Sequence, residues 1–292
     1  MPVHTHSSLC LRQKSSVCDK ITLVGGEMLR YYSRQKETKN TLKNIFENKN
    51  NVFIIHYSCE SFYDIENGRT PRITSIAVKH LNSEIDVSFS IHKIAEIEGQ
   101  DNIPDNYNDL EKKMLDEFYS FVEKHENYSW IHWNMKNINY GFEAIAHRYR
   151  VLKGNPIIIP NEKVINLAKL LCDIYGCNYI ENPKLYNLVK ENNLKHKDLL
   201  DGAEEGEAFQ NKDYVTLHRS TLKKVDAIYN LLDLAYLGKL KTKATFIDKN
   251  GGLFMIIPYF ILENPYVATF ITIFGFIFGL TGLVISILSL VK

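Results

Sequence analysis

The segment Asn264–Val291 is 28 residues long, NPYVATFITIFGFIFGLTGLVISILSLV, and holds no charged side chain. About 20 consecutive apolar residues in a helix cross the hydrocarbon core of a bilayer. Backbone polar groups in lipid find no water, so a crossing segment must satisfy them internally as a helix. The competing reading, a buried core helix, is disfavoured by the length of the uncharged run. The expectation is a membrane-spanning helix.

The stretch just upstream, Gly251–Leu262 (GGLFMIIPYFIL), is also uncharged and ends at Glu263-Asn264-Pro265. Its 12 residues are short for a span, and extending it back brings in Asp248 and Lys249, which are costly in hydrocarbon. It reads as the first helix of a hairpin, a re-entrant segment or an interfacial helix, with Pro258 able to kink it. Lys239, Lys241, Lys243 and Lys249 precede the apolar region against Asp248 alone. That positive flank places the preceding residues in the cytoplasm. The first twenty residues are polar and mixed in charge, without the apolar core of a secretory signal. The expected location is an inner membrane, with the N-terminal domain cytoplasmic and membrane lipid as a partner.

The charge of +1 gives no overall bias toward nucleic acid. Five scattered cysteines, with four residues between Cys172 and Cys177 and no second pair, argue against a zinc site and fit reduced thiols. Gly-x-x-x-x-Gly-Lys, Gly-x-Ser-x-Gly and His-Glu-x-x-His motifs are absent, which removes their nucleotide-binding, hydrolase and metalloprotease chemistries from consideration.

The chain divides into an N-terminal extension (1–50), an α/β domain (51–243) and a membrane region (244–292). The extension includes a Lys/Asn-rich helix over Arg34–Asn48. Val52–Tyr57 (VFIIHY) is a near-continuous apolar run, as in a buried central strand. Ile73–Val78 is β-branched. Ile85, Val87, Phe89 and Ile91 alternate with polar residues, and Asn82-Ser83 supplies a hairpin turn. Leu110, Met114, Leu115, Phe118, Phe121 and Val122 recur at helical spacing. Ser129–Trp133 is strand-like, and Asn139–Leu152 and Val164–Ile174 are helical. Pro183 opens a short helix, and 197–207 is an acidic loop. Tyr214–Leu240 is a long helix with Leu217, Thr221, Val225, Ile228, Leu232 and Ala235 on one face.

Three strands followed by helix–strand–helix and further helices is an α/β order. Over about 51–240 it resembles the ribonuclease-H-like fold of DEDD-type 3′–5′ exonucleases, which implies a mixed sheet with flanking helices. Such enzymes hold two divalent metals on four carboxylates. Their first motif, Asp-x-Glu, aligns with Ser58-Cys59-Glu60, so Glu60 fits and Ser58 stands where the Asp belongs, with Asp64 nearby. The second, His-Asn followed by Asp, aligns with Trp130–Asn139 (WIHWNMKNIN), where Asn137 or Asn139 replaces the acid. The third is met only by His218 and Asp226, eight residues apart rather than four or five. Three of four carboxylates are thus missing or displaced. Under a nuclease reading the catalytic residues are Glu60, Asp64 and Asp226, with Mg2+ or Mn2+; otherwise no metal or cofactor is expected. Binding without cleavage draws instead on His132, Trp133, Asn134, Lys136, Arg219 and Lys223, where aromatic and basic groups can stack on bases and meet phosphates. Arg148, Arg150 and Lys224 add nearby charge.

Gly275 and Gly279 form a Gly-xxx-Gly pair that lets apolar helices approach closely, which predicts self-association. A degenerate nuclease-like domain joined to one or two membrane helices resembles the transmembrane effectors of bacterial retron anti-phage systems. That resemblance implies an abortive-infection role. A reverse transcriptase and its RNA–DNA hybrid would restrain the effector, and the inner membrane would be damaged on release.

Overall fold

The run Val52–Tyr57 is buried from end to end because helices cover both sides of the strand that holds it. The computed structural model describes residues 17–61, 70–83, 86–135, 139–249 and 265–290. Strand β1 (Val52–Cys59) is the centre of a five-stranded mixed sheet. With β2 (Ile73–His80), β3 (Asp86–Ser90), β4 (Ser129–His132) and β5 (Val164–Asn166), the spatial order is β3-β2-β1-β4-β5. β1, β2 and β3 pair antiparallel, while β4 pairs parallel to β1 and β5 parallel to β4. Parallel neighbours need crossovers. α2 (Ile91–Ile97) and α3 (Tyr107–Glu123) lie between β3 and β4, and α4 (Phe142–Val151) lies between β4 and β5.

Side chains alternate across a strand. Val52 and Ile54 therefore enter one core with Leu42 and Ile45 of α1 (Val17–Glu47), Leu171 of α5 (Leu167–Tyr175), Leu188 of α6 (Lys184–Glu191) and the apolar face of α8 (Tyr214–Tyr236). Phe53, Ile55 and Tyr57 enter the other core, against α2, α3 and α4. On α8 the stripe read from the sequence is buried as expected, from Leu217 through Leu232 to Ala235. The helix stops at Tyr236 rather than Leu240 because Gly238 turns the chain with a left-handed φ of 67°.

Several local expectations are corrected. Val164–Asn166 is not the start of a helix but a short strand beside β4, and α5 begins at Leu167. Pro183 precedes α6 rather than occupying its first position. The acidic stretch expected as a loop contains α7 (Gly202–Gln210), started by a capping box. There the Asp201 carboxylate accepts the backbone N–H of Glu204, and the Glu204 carboxylate accepts that of Asp201. Cys172 and Cys177, expected as reduced thiols, are joined as a disulfide; Gly176 at φ 82° folds the chain back between them.

The described residues up to Lys36 and from Pro265 onward form one compact unit, and those from Glu37 to Lys249 form another. After the short α9 (Phe246–Lys249), α10 (Pro265–Leu290) has 26 residues and no charge. Its described side chains, Tyr266, Thr269, Phe270 and Thr272–Thr281, are exposed. Among the described residues, no helix is long and apolar enough to cross a membrane. The membrane-spanning helix expected for the tail is therefore not found there, and the stretch expected to complete a hairpin, 251–262, lies outside the described residues.

Candidate functional site

Ligands of open α/β sheets gather at the carboxyl ends of the strands, and at that end of β1 the α8 side of the sheet turns polar. Past Ile54 the alternation that builds the core presents His56 and Ser58. Ser58 faces Ser75 across the β1–β2 ladder. Above them α8 offers Ser220, Thr221 and Lys224, the last two a helical turn apart. The capping box starts α7 so that Glu205 reaches the same spot.

These groups form one connected chain. Ser58 Oγ donates to Glu205 Oε1 at 2.9 Å and lies 2.7 Å from Thr221 Oγ1. Thr221 Oγ1 is in turn 2.7 Å from Ser75 Oγ. Thr221 Oγ1 also donates to the Leu217 carbonyl at 2.9 Å, so its one proton is shared between that oxygen and Ser58, and Ser75 donates to Thr221. Ser220 Oγ donates to Glu205 at 3.3 Å. The other Glu205 oxygen meets Lys224 Nζ at 2.7 Å, with both side chains largely shielded from solvent. Where the nuclease motif needs an acidic metal ligand, a serine therefore stands bonded to a carboxylate that an ammonium already neutralises.

His56 and His218 are neutral at pH 7. Burial holds His56 well below the ordinary imidazole value, and Lys224 and His132 push it further in the same direction. Its Nε2 lies 3.3 Å from Tyr140 Oη, and its Nδ1 has no partner among the described residues. Further along α8, burial lowers His218 to about 4, with Lys93 and His92 assisting. A histidine whose folded-state value is depressed gives stability that is present above the unfolded value of about 6.5 and is lost as pH falls toward the folded value. The urea midpoint is therefore expected to decline from pH 6.5 to 5, above the range where most carboxylates titrate. His218→Leu should make that decline shallower, with His56 supplying the remainder. An unchanged slope in the variant would contradict this assignment.

The structure separates the residues named for nuclease chemistry. Glu60, at the end of β1, is largely buried, and its carboxylate accepts the Arg72 N–H at 3.3 Å. With Arg72, Lys212 and Tyr214 it lines a polar cavity of about 280 Å³. Asp226 is near the other end of the strand, paired with Lys79 at 3.1 Å and Lys223 at 3.5 Å. Lys79 is in register with Ile54, and Ser75 with Ser58. Those four positions along β1 correspond to roughly 13 Å, too far for Glu60 and Asp226 to ligate one ion or a pair about 4 Å apart. Asp64 lies outside the described residues, and Asn139 is exposed. Among the described residues, no group of three or more His, Cys, Asp and Glu side chains could hold a metal ion. A two-metal centre does not fit the groups described here.

The binding candidates do not form one surface either. His132 is buried, its Nδ1 accepting the Met135 N–H at 2.8 Å. Trp133 is a buried residue of the α8-side core whose edge, with Asn134, Lys169 and Lys184, lines a cavity of about 460 Å³. Asn134 is exposed in a left-handed turn at φ 54°, where it and Asn166 exchange hydrogen bonds of 3.2 Å. Lys136 lies outside the described residues. Arg219 pairs with Asp198 at 3.7 Å, and Lys223 pairs with Asp226. Arg148 is buried against Glu111. Gly275 and Gly279 are open, since an added Cβ at either meets nothing within 4 Å. Glu205 and the central role of Lys224 were missed. Two sequence signals point to them, the Asp-x-x-Glu box ahead of α7 and the polar Ser220-Thr221-x-x-Lys224 break in an otherwise apolar helix face.

No family model matches the chain, and no curated protein or solved structure matches it at a significant level.

Proposed function

We propose that this chain is a membrane-anchored effector of antiviral defence whose α/β domain binds a partner rather than cleaving nucleic acid. The observation that carries the non-catalytic part is Lys224, whose ammonium is paired with Glu205 beside Ser58, in the place a metal-binding acid would need. Three antiparallel strands followed by two parallel ones reached through helices support the ribonuclease-H-like reading of the domain. The membrane anchor rests on the sequence, on the 28 uncharged residues Asn264–Val291. The partner proposed from the sequence resemblance is a reverse transcriptase with its RNA–DNA hybrid. It restrains the effector by preferring one of two states, since a ligand shifts an equilibrium only through differential affinity. Release lets α10 helices associate through Gly275 and Gly279 and damages the inner membrane.

Expression of the full chain alone in bacteria, followed with a voltage-sensitive dye, tests this reading. Depolarisation is expected from the native chain and is lost on deletion of 251–292. Gly279→Leu should also abolish it, and because that position is open, the loss would report contacts outside the chain rather than misfolding. Depolarisation that survives the deletion would refute the anchor's role.

A further inference from the structure

We infer that the end of the α/β unit where α1 and α8 finish docks on anionic lipid headgroups; this rests on the membrane-anchored reading above. Phe46, in the last turn of α1, stacks on Tyr236, the last residue of α8, with ring centroids 3.9 Å apart. That contact fixes the two helix ends side by side. Lys39 and Lys43, seven and three residues before Phe46, fall on its flank of the helix, and both are exposed. At the end of α8, Tyr236 and Leu237 are 43% and 50% exposed, and Lys239 and Lys241 are exposed shortly after them.

Lysines beside an aromatic ring and a leucine suit the boundary between headgroups and acyl chains. The apolar groups enter the boundary while lysine stems lie along it with their ammonium groups in water. Clustered lysines near a membrane segment are drawn to anionic lipid. The acidic groups along these helix ends are Glu37, Glu47 and Asp233. Glu47 reaches Lys43 at 3.6 Å, but both are more than half exposed, so the pair is weak and Lys43 remains available to a headgroup. The backbone of Lys241 is clamped by two hydrogen bonds to Asn192, 2.8 and 3.0 Å long, so this segment is held rather than loose. Chain connectivity supplies the reason for lipid as occupant. Past Lys241 the chain leads to the uncharged tail.

The test is lysine acetylation of the full chain in nanodiscs of phosphatidylcholine alone or mixed with phosphatidylglycerol, read by mass spectrometry. Lys39, Lys43, Lys239 and Lys241 are expected to lose reactivity in the anionic discs. Lys212, exposed at the opposite end of β1 beside the Glu60 cavity, should keep it. The pair Lys39→Glu and Lys239→Glu should restore reactivity at Lys43 and Lys241 while circular dichroism stays native. Equal reactivity of the four lysines in both discs, or equal slowing at Lys212, would overturn the docking proposal while leaving the anchor intact. A chain that fails to enter either disc would overturn the membrane-anchored reading, and the docking proposal with it.

Discussion

Arg148→Met should lower the unfolding free energy by about 3–5 kcal/mol, the usual effect of removing one partner from a buried ion pair. Arg148 projects from α4 into the core, and its Nε lies 3.0 Å from each oxygen of Glu111 on α3. Glu111 is fully buried and Arg148 is 5% exposed. Glu111 has a second task, because it accepts the Ile73 N–H at 2.7 Å where β2 begins. Without Arg148 it would remain as a buried charge or take up a proton. Burial already raises its pKa despite the opposing guanidinium. The double variant Glu111→Gln with Arg148→Met should recover much of the loss, since the amide oxygen still serves Ile73 and both charges are gone. Urea unfolding of the single and double variants measures the coupling. A single variant within about 0.5 kcal/mol of native, the usual range for harmless surface changes, would show that the pair does not hold the two helices together.

The second large effect concerns Lys224. Lys224→Met should reduce stability by about 3 kcal/mol, toward the lower end for a buried pair because Glu205 keeps its bonds from Ser58 and Ser220. Glu205→Gln in the same chain should return part of that loss. The native chain, incubated with Mg2+ or Mn2+ and single-stranded DNA or RNA, should leave the substrate intact. Divalent-dependent cleavage that disappears in Glu60→Ala would instead establish a nuclease and displace the non-catalytic reading. The two measurements are independent, because one reports the cohesion of the cluster and the other its chemistry.

What could be read from the sequence follows the strength of local patterns. β1 was legible because two covered faces require an unbroken apolar run, and α8 because its stripe repeats over six turns. β5 was not, because three residues are too few to display alternation and they run directly into an amphipathic helix. α7 was hidden by its acidic and glycine-rich composition, although its start carried the capping residues in plain order. The candidate site was least legible. Glu205 and Ser58 lie 147 residues apart, and no local pattern indicates that such residues share a bond. Trp133 misled for a related reason: an aromatic residue just after a strand can stack on a base or fill a core, and only its burial in the folded chain decides.

The shortness of β5 bears on how copies of this protein can assemble. An outer strand with unpaired N–H and C=O groups is a template on which another chain can add by backbone bonding, and proteins blunt that hazard by keeping such strands brief. β5 offers three residues before the chain turns into α5. β3, on the other side, offers five, and its Asp86 carboxylate is held by Lys79. Neither margin gives a long, flat ladder for strand addition. Among the described residues, fibril-like stacking through the sheet is disfavoured on both sides, which favours helix faces as the surfaces for ordered assembly.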